Sequence, residues 1–218
     1  MEIKILKDIL NANEGIAERN RQLLDNKGVF ALNLMASPGA GKTSLILETI
    51  KMLKGKTRIG VIEGDISSSL DAEAIGKEGV PVIQINTGGA CHLDANMLSS
   101  ALSNMPLPDI ELLLIENVGN LVCPASFALG EHKKVVISSI PEGDDKPFKY
   151  PLMFDIADAV LINKIDLLPY LKFDIEVFSK GIKGINEKVE IFPVSCVTSQ
   201  GIQEWISWLL TQMSQRQS

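Results

Sequence analysis

The chain has no surplus of positive charge, no long apolar run and few cysteines or histidines. Its 218 residues hold 21 Lys and Arg against 27 Asp and Glu, a formal net charge of −6, with no basic stripe. Nucleic acid is therefore not expected as the main partner. No stretch approaches the ~18 uninterrupted apolar residues of a membrane-crossing helix, and the first residues lack the charged-then-apolar pattern of an export signal. Cys91, Cys123 and Cys196 make an odd count at scattered spacings. That suits a reducing compartment better than a disulfide framework. A cytoplasmic protein with no membrane partner is expected.

What is present is more specific. Val29 to Met35 is a short apolar run that leads into Ala36-Ser37-Pro38-Gly39-Ala40-Gly41-Lys42-Thr43. A strand, a glycine-rich turn and Lys-Thr opening a helix make a phosphate-binding loop. Backbone N–H groups over Gly39, Ala40, Gly41, Lys42, Thr43 and Ser44 would cradle phosphate, Lys42 would reach the β- and γ-phosphates, and Thr43 would hold Mg²⁺. The motif usually begins with glycine. Alanine serves at position 36 if its φ stays negative.

A second motif names the base. Asp158 to Ile162 is an apolar strand ending in Asn163-Lys164-Ile165-Asp166, about 120 residues beyond the phosphate loop. A carboxylate at Asp166 accepts from both N1–H and the exocyclic amine of guanine. Adenine would leave it unpaired, a discrimination that reaches ~10⁴. Asn163 would bind the other edge of the ring or brace the phosphate loop, and the Lys164 stem would lie across the base. Ser195 and Cys196, after the next apolar stretch, resemble the backbone clamp on guanine O6. The expected nucleotide is GTP or GDP.

Apolar runs predict strands over 29–35, 58–63, 81–86, 110–116, 133–140, 158–163 and 189–194. Helical spacing predicts helices over 42–53, 68–78, 93–103, 172–183 and 199–214. Alternation at this rhythm implies a three-layer αβα fold around a mainly parallel sheet, with ligands at the strand C-terminal edge. An N-terminal helix from Ile3 to about Asp25, with Ile5, Ile9, Ile16, Leu23 and Leu24 at roughly helical spacing, reads as an appendage. The expected division is 1–26 for that appendage and 27–218 for the nucleotide-binding domain.

Glu63-Gly64-Asp65 follows one strand, and Glu116-Asn117-Val118-Gly119 follows another. The second resembles the Asp-x-x-Gly of GTPases with Glu in place of Asp. Glu116 would reach Mg²⁺ through water, and the Gly119 N–H would bond the γ-phosphate, a loop released on hydrolysis. Asp65 would accept from a metal-bound or attacking water, or else cap a neighbouring turn. No glutamine stands in an obvious water-positioning place, and intrinsic hydrolysis on the order of 10⁻⁴–10⁻² s⁻¹ is expected.

Cys91 and His92 follow the strand ending at Asn86, and Cys123 lies seven residues past Glu116. Thiolate and imidazole suit Ni²⁺ or Zn²⁺. From spacing alone the signal is weak, since a lone Cys is usually a buried small hydrophobe. Cys196 reads as part of the guanine clamp, not as a ligand.

Three longer strings carry a family resemblance: Thr87-Gly-Gly-Ala-Cys-His-Leu-Asp-Ala95, Glu116-Asn-Val-Gly-Asn-Leu-Val-Cys-Pro124 and Glu142-Gly-Asp-Asp-Lys-Pro-Phe-Lys-Tyr-Pro151. They resemble the HypB family of hydrogenase nickel-incorporation GTPases, in the signal-recognition/MinD-type (SIMIBI) branch of P-loop GTPases. The resemblance implies a G domain that hydrolyses GTP during maturation of nickel–iron hydrogenase. It also implies two partners, a small zinc-containing nickel chaperone of the HypA type and the hydrogenase large-subunit precursor. Cys91, His92 and Cys123 would then bind nickel or zinc at a GTP-favoured dimer interface, with Lys146 and Lys149 near nucleotide and dimer contacts. The Cys-x-x-Cys-Gly-Cys motif and His-rich segment of some relatives are missing, which points to a switch with one modest-affinity metal site. Two rivals remain open: a urease-type nickel GTPase, and a GTP-dependent docking module that handles no metal.

Overall fold

A computed structural model describes residues 2–66 and 69–216, with side chains described from residue 10 onward. The side chains of Ile5 and Ile9 and the expected helix start at Ser68 lie outside the described residues. Seven parallel strands form one sheet in the order β3-β2-β4-β1-β5-β6-β7. They are β1 (Phe30–Ala36), β2 (Ile59–Asp65), β3 (Val82–Asn86), β4 (Leu112–Glu116), β5 (Lys133–Ser139), β6 (Ala159–Asn163) and β7 (Glu190–Pro193). The mainly parallel αβα expectation holds. β1 and β4 are buried along their whole length, whereas the edge strands β3 and β7 are only partly covered. Strands buried on both faces read as continuous apolar runs, which is how they showed in the sequence.

Helices α1 (Glu2–Lys27), α2 (Lys42–Leu53), α3 (Leu70–Gly76), α4 (Ala95–Leu102), α5 (Lys146–Lys149), α6 (Pro151–Asp155), α7 (Ile175–Ile185) and α8 (Ile202–Gln215) flank the sheet. On one side α2 and α8 pack Leu45, Ile46, Ile50, Trp205, Ile206 and Leu209 into one core cluster. The indole of Trp205 donates to Thr49 Oγ1 at 3.0 Å and ties α8 to α2.

Boundaries shift where backbone geometry overrides the apolar pattern. β2 runs on to Asp65 because Glu63, Gly64 and Asp65 stay in register with Gln84, Ile85 and Asn86. α8 begins only at Ile202, since Ser199 and Gly201 stand at φ 59° and 72° in the turn before it. α5 and α6 had no apolar period to reveal them; each is a single turn with proline in its first positions.

The described part of α1 turns Asn13, Ala17, Asn20 and Leu24 inward, one helical stripe at intervals of four and three. Two of the four are amides, and both are satisfied. Asn20 Nδ2 donates to Ala95 O and Leu129 O at 2.8 and 2.9 Å, and Asn13 spans Ala95 N and Ala128 O. Ile16 and Leu23, expected on the buried face, are half-covered.

Candidate functional site

β1 sits at the centre of the sheet between β4 and β5. Its C-terminal end is therefore the point where successive crossovers depart to opposite sides, the place where open α/β sheets bind ligands. The glycine-rich loop occupies that point. Gly39 and Gly41 take φ of 76° and 101°, and Ala36 keeps a negative φ, so alanine serves there without strain. Lys42 opens α2 and is nearly buried, Thr43 is half-buried and Ser44 exposed.

Asn163, at the end of β6, donates from Nδ2 to Ala40 O at 2.9 Å and so braces this loop. A Cβ built at Gly41 would lie 2.3 Å from that Nδ2, so the approach requires glycine. Lys164 takes a left-handed φ of 64° and sends Nζ to Gly39 O at 2.7 Å. Beside it, Asp166 accepts from Ser195 Oγ, and Ser195 Oγ accepts from Thr198 N at 3.2 Å. Cys196 Sγ lies 3.5 Å from Asn163 Oδ1, and burial pushes its thiol up to about 11. Asn163, Lys164, Asp166, Ser195 and Cys196 thus converge beside the phosphate loop.

The carboxylates gather on the other side of the loop. A cavity of about 300 Å³ is lined by Pro38, Gly39, Lys42, Glu63, Asp65, Asp71, Glu116 and Gly119, among others. Thr43 Oγ1 donates to Glu116 Oε1 at 3.0 Å. Glu116 and Glu63 are register partners on β4 and β2, each almost fully buried. Burial pushes Glu63 up to about 8, with Glu116, Asp65 and Asp71 adding repulsion. Burial likewise raises Glu116 to about 7, against the pull of Lys42 and the Thr43 hydroxyl. Oε2 of each glutamate is buried without a hydrogen-bond partner. Orphaned hard oxygens beside a Thr hydroxyl fit a small divalent cation. Gly119 lies against Pro38, where an added Cβ would stand 2.9 Å away.

The third group is built from two loops. Cys91 Sγ lies 3.1 Å from Cys123 Sγ and 3.7 Å from His92 Nδ1, and one ligand atom from each residue falls within 4.8 Å of the others. The His92 ring rests on Phe127, centroids 4.0 Å apart, and burial lowers its pKa, which keeps the imidazole available as a ligand. Asn120 Nδ2 holds Cys91 O at 3.2 Å, fastening the two loops together. The hydrogen bond with Cys91 raises Cys123 first, then burial, so a metal must displace protons to bind. Lys146 and Lys149 fall on α5. Lys146 lies over the Tyr150 ring at 5.4 Å, and Lys149 pairs with Asp145.

Three contributors escaped the sequence reading: Glu63, Asn117 and Phe127. Glu63 was legible as a carboxylate two residues before Asp65, on the same face of β2. Asn117 is a polar residue two places past the run Leu112 to Ile115, and such buried groups must find partners. Nothing in the sequence marked Phe127.

A parallel sheet with a glycine-rich phosphate loop at its switch point defines a P-loop nucleotide-binding protein. The chain belongs to the CobW/HypB/UreG family of P-loop GTPases, within which its relatives are HypB proteins: residues 30–193 match the nucleotide-binding domain of that family. The Escherichia coli K12 hydrogenase maturation factor HypB is 48% identical over 212 residues, 97% of this chain and 72% of that protein. The crystal structure of HypB from Archaeoglobus fulgidus superposes with a TM-score of 0.88 at 40% identity, covering 93% of this chain and 99% of that one. That of HypB from Helicobacter pylori in complex with nickel gives 0.90 at 36%, covering 94% and 96%. Among the described residues no helix is long and apolar enough to cross a membrane.

Proposed function

We propose that this chain is a GTP-hydrolysing metal-handling protein that carries nickel during maturation of a nickel–iron hydrogenase. One observation carries the reading: the segment 116–123 begins at Glu116, bonded to Thr43 of the phosphate loop, and ends at Cys123, in contact with Cys91. Whatever moves when the γ-phosphate leaves also moves a thiol of the Cys91, His92 and Cys123 cluster. Relatives named for hydrogenase maturation, and a solved relative holding nickel, support the choice of process and cargo.

Guanine would be held by Asp166, oriented by Ser195, with Lys164 across its face and Ser195 and Cys196 beside O6. Mg²⁺ would be held by Thr43, with Glu116 and Asp65 through water, and would neutralise charge between the β- and γ-phosphates. Lys42 stabilises the same oxygens, Gly119 offers its N–H to the γ-phosphate, and Asp65 accepts from the attacking water. Three metal-binding side chains leave a coordination position open, and a second copy of the chain in the GTP state would complete it. HypA-type and hydrogenase-precursor partners follow from the same reading, as does a cytoplasmic site of action.

Calorimetric titration of nickel into the GDP and GTP-analogue complexes tests this. Different affinities or stoichiometries are expected in the two states. Equal nickel binding in both, or target maturation that survives Cys91→Ala with Cys123→Ala, would leave a docking module that handles no metal.

A further inference from the structure

Asn117 lies between the glutamate that bonds Thr43 and the glycine that faces Pro38. It is fully buried. Its Oδ1 accepts from two backbone donors on different loops: Val118 N at 3.0 Å, in its own phosphate-facing segment, and Leu93 N at 3.1 Å, the residue after His92. The orientation of this amide is dictated from behind. Glu131 accepts from Leu129 N and Gly130 N through one oxygen, and Asn33 donates from Nδ2 to the other at 3.1 Å. Asn33 then presents Oδ1, to which Asn117 Nδ2 donates at 3.2 Å, and Asn117 is left with Oδ1 facing both N–H groups. Asn33 belongs to β1, the central strand, so the anchor is rigid.

The far side of the His92 segment is held as well. Leu93 packs its side chain against Gly64, where an added Cβ would meet it at 2.7 Å. Ala95 N donates to Asn13 Oδ1 of α1 at 2.9 Å.

We infer that Asn117 is a positioning residue that couples the phosphate-facing loop to His92, giving the metal cluster a second connection besides Cys123. One acceptor atom shared by two donors cannot follow Val118 without changing its bond to Leu93. A shift at Val118 and Gly119 is therefore felt one residue from the imidazole. The functional part rests on the metal-switch reading above; the mechanical part does not.

The mechanical part is tested in the wild-type protein without nickel or zinc by the ¹⁵N–¹H signal of Leu93. Exchange of GDP for a non-hydrolysable GTP analogue, with Mg²⁺, should move that signal and change its hydrogen-exchange protection. A Leu93 amide indifferent to nucleotide overturns the inference without touching the metal reading. The functional part is tested with Asn117→Ala, by nickel titration in both nucleotide states. The ratio of the two nickel affinities should collapse toward one, a loss of about 3- to 10-fold in coupling, the worth of one ordinary hydrogen bond. A purely structural Asn117 would weaken nickel binding equally in both states and keep the wild-type ratio, which overturns the inference. A wild-type ratio of one, with a responsive Leu93 amide, overturns instead the metal-switch reading.

Discussion

Glu63 and Glu116 face a common cavity from neighbouring strands, and burial raises both toward or above neutral pH. For Glu63 the sign is clear. Its folded pKa of about 8 exceeds the ordinary carboxylate value, so the native state holds the proton more tightly than the unfolded chain. Stability of the nucleotide-free protein is therefore lost as pH rises from the ordinary value through about 8. Glu63→Gln should remove much of that loss, on the order of 2–3 kcal/mol at pH 8.5 after allowing for its coupling to Glu116. Urea unfolding at pH 5 and pH 8.5 measures it, and equal losses in wild type and variant would contradict the assignment. Asp166 offers a different test. Its carboxylate is aimed by Ser195, and Asp166→Asn would set an amide donor against the guanine N1–H. GDP affinity should fall at least about 100-fold in a fluorescent-nucleotide competition assay. Xanthine nucleotide, with a carbonyl where guanine has its amine, should lose much less.

Among the elements, α1 teaches most about what the sequence concealed. Its apolar residues suggested a stripe, yet Asn13 and Asn20 share the buried face with Ala17 and Leu24, because carbonyls at Ala95, Ala128 and Leu129 need donors. An amide looks like surface until its partners are known, and those lie many residues away. Asn20→Leu keeps the branched outline, though not the volume, and removes both bonds. It should cost about 2–3 kcal/mol, read as a lower midpoint in urea with an unchanged slope. The seven strands were legible for the opposite reason: strands buried on both faces announce themselves as apolar runs. The phosphate loop and Asn163 to Asp166 were legible because their chemistry demands fixed residue types at fixed spacing. The Cys91, His92 and Cys123 cluster was only half legible. Its members fall on loops at one edge of the sheet, but spacing alone made the signal weak, and the resemblance strengthened it. The side-chain network through Asn33 and Asn117 was the least legible, since each amide is ordinary by itself.

At the scale of the molecule, the two edges of the sheet have divided labour. The proposed nucleotide and metal residues stand at the strand C-terminal ends. At the opposite edge, His132 lies just before β5 and joins three elements. Its Nδ1 accepts from Ala31 N at 2.9 Å, its ring stacks on Phe30, and its Nε2 meets Asp25 of α1 at 3.0 Å. Arg216, at the end of α8, pairs with the same carboxylate at 2.7 Å. Burial lowers the imidazole to about 4, helped by Arg21 and Arg216 and opposed by Asp25. Here the folded pKa lies below the unfolded one, so stability is present above about pH 6.5 and lost as pH falls toward 4. His132→Asn retains an acceptor for Ala31 N and should flatten that acid loss, about 3 kcal/mol in the wild type, at the expense of ring stacking near neutrality. Thermal melts from pH 4 to 7 would show it; a variant as acid-sensitive as the wild type would refute the role. Between pH 4.5 and 6.5 this slope opposes that of Glu63, so each is read from its own variant and not from the parent curve.

The third thiol turns the chain into its own gauge. Cys196 is packed against Asn163 and held protonated far above neutrality, while Cys91 stands open to solvent beside Cys123. A thiol-directed reagent at neutral pH should therefore find the exposed Cys91 first and pass over Cys196. Under the proposed function, nickel loading at Cys91 can then be followed by protection from alkylation, with no foreign label and no engineered residue.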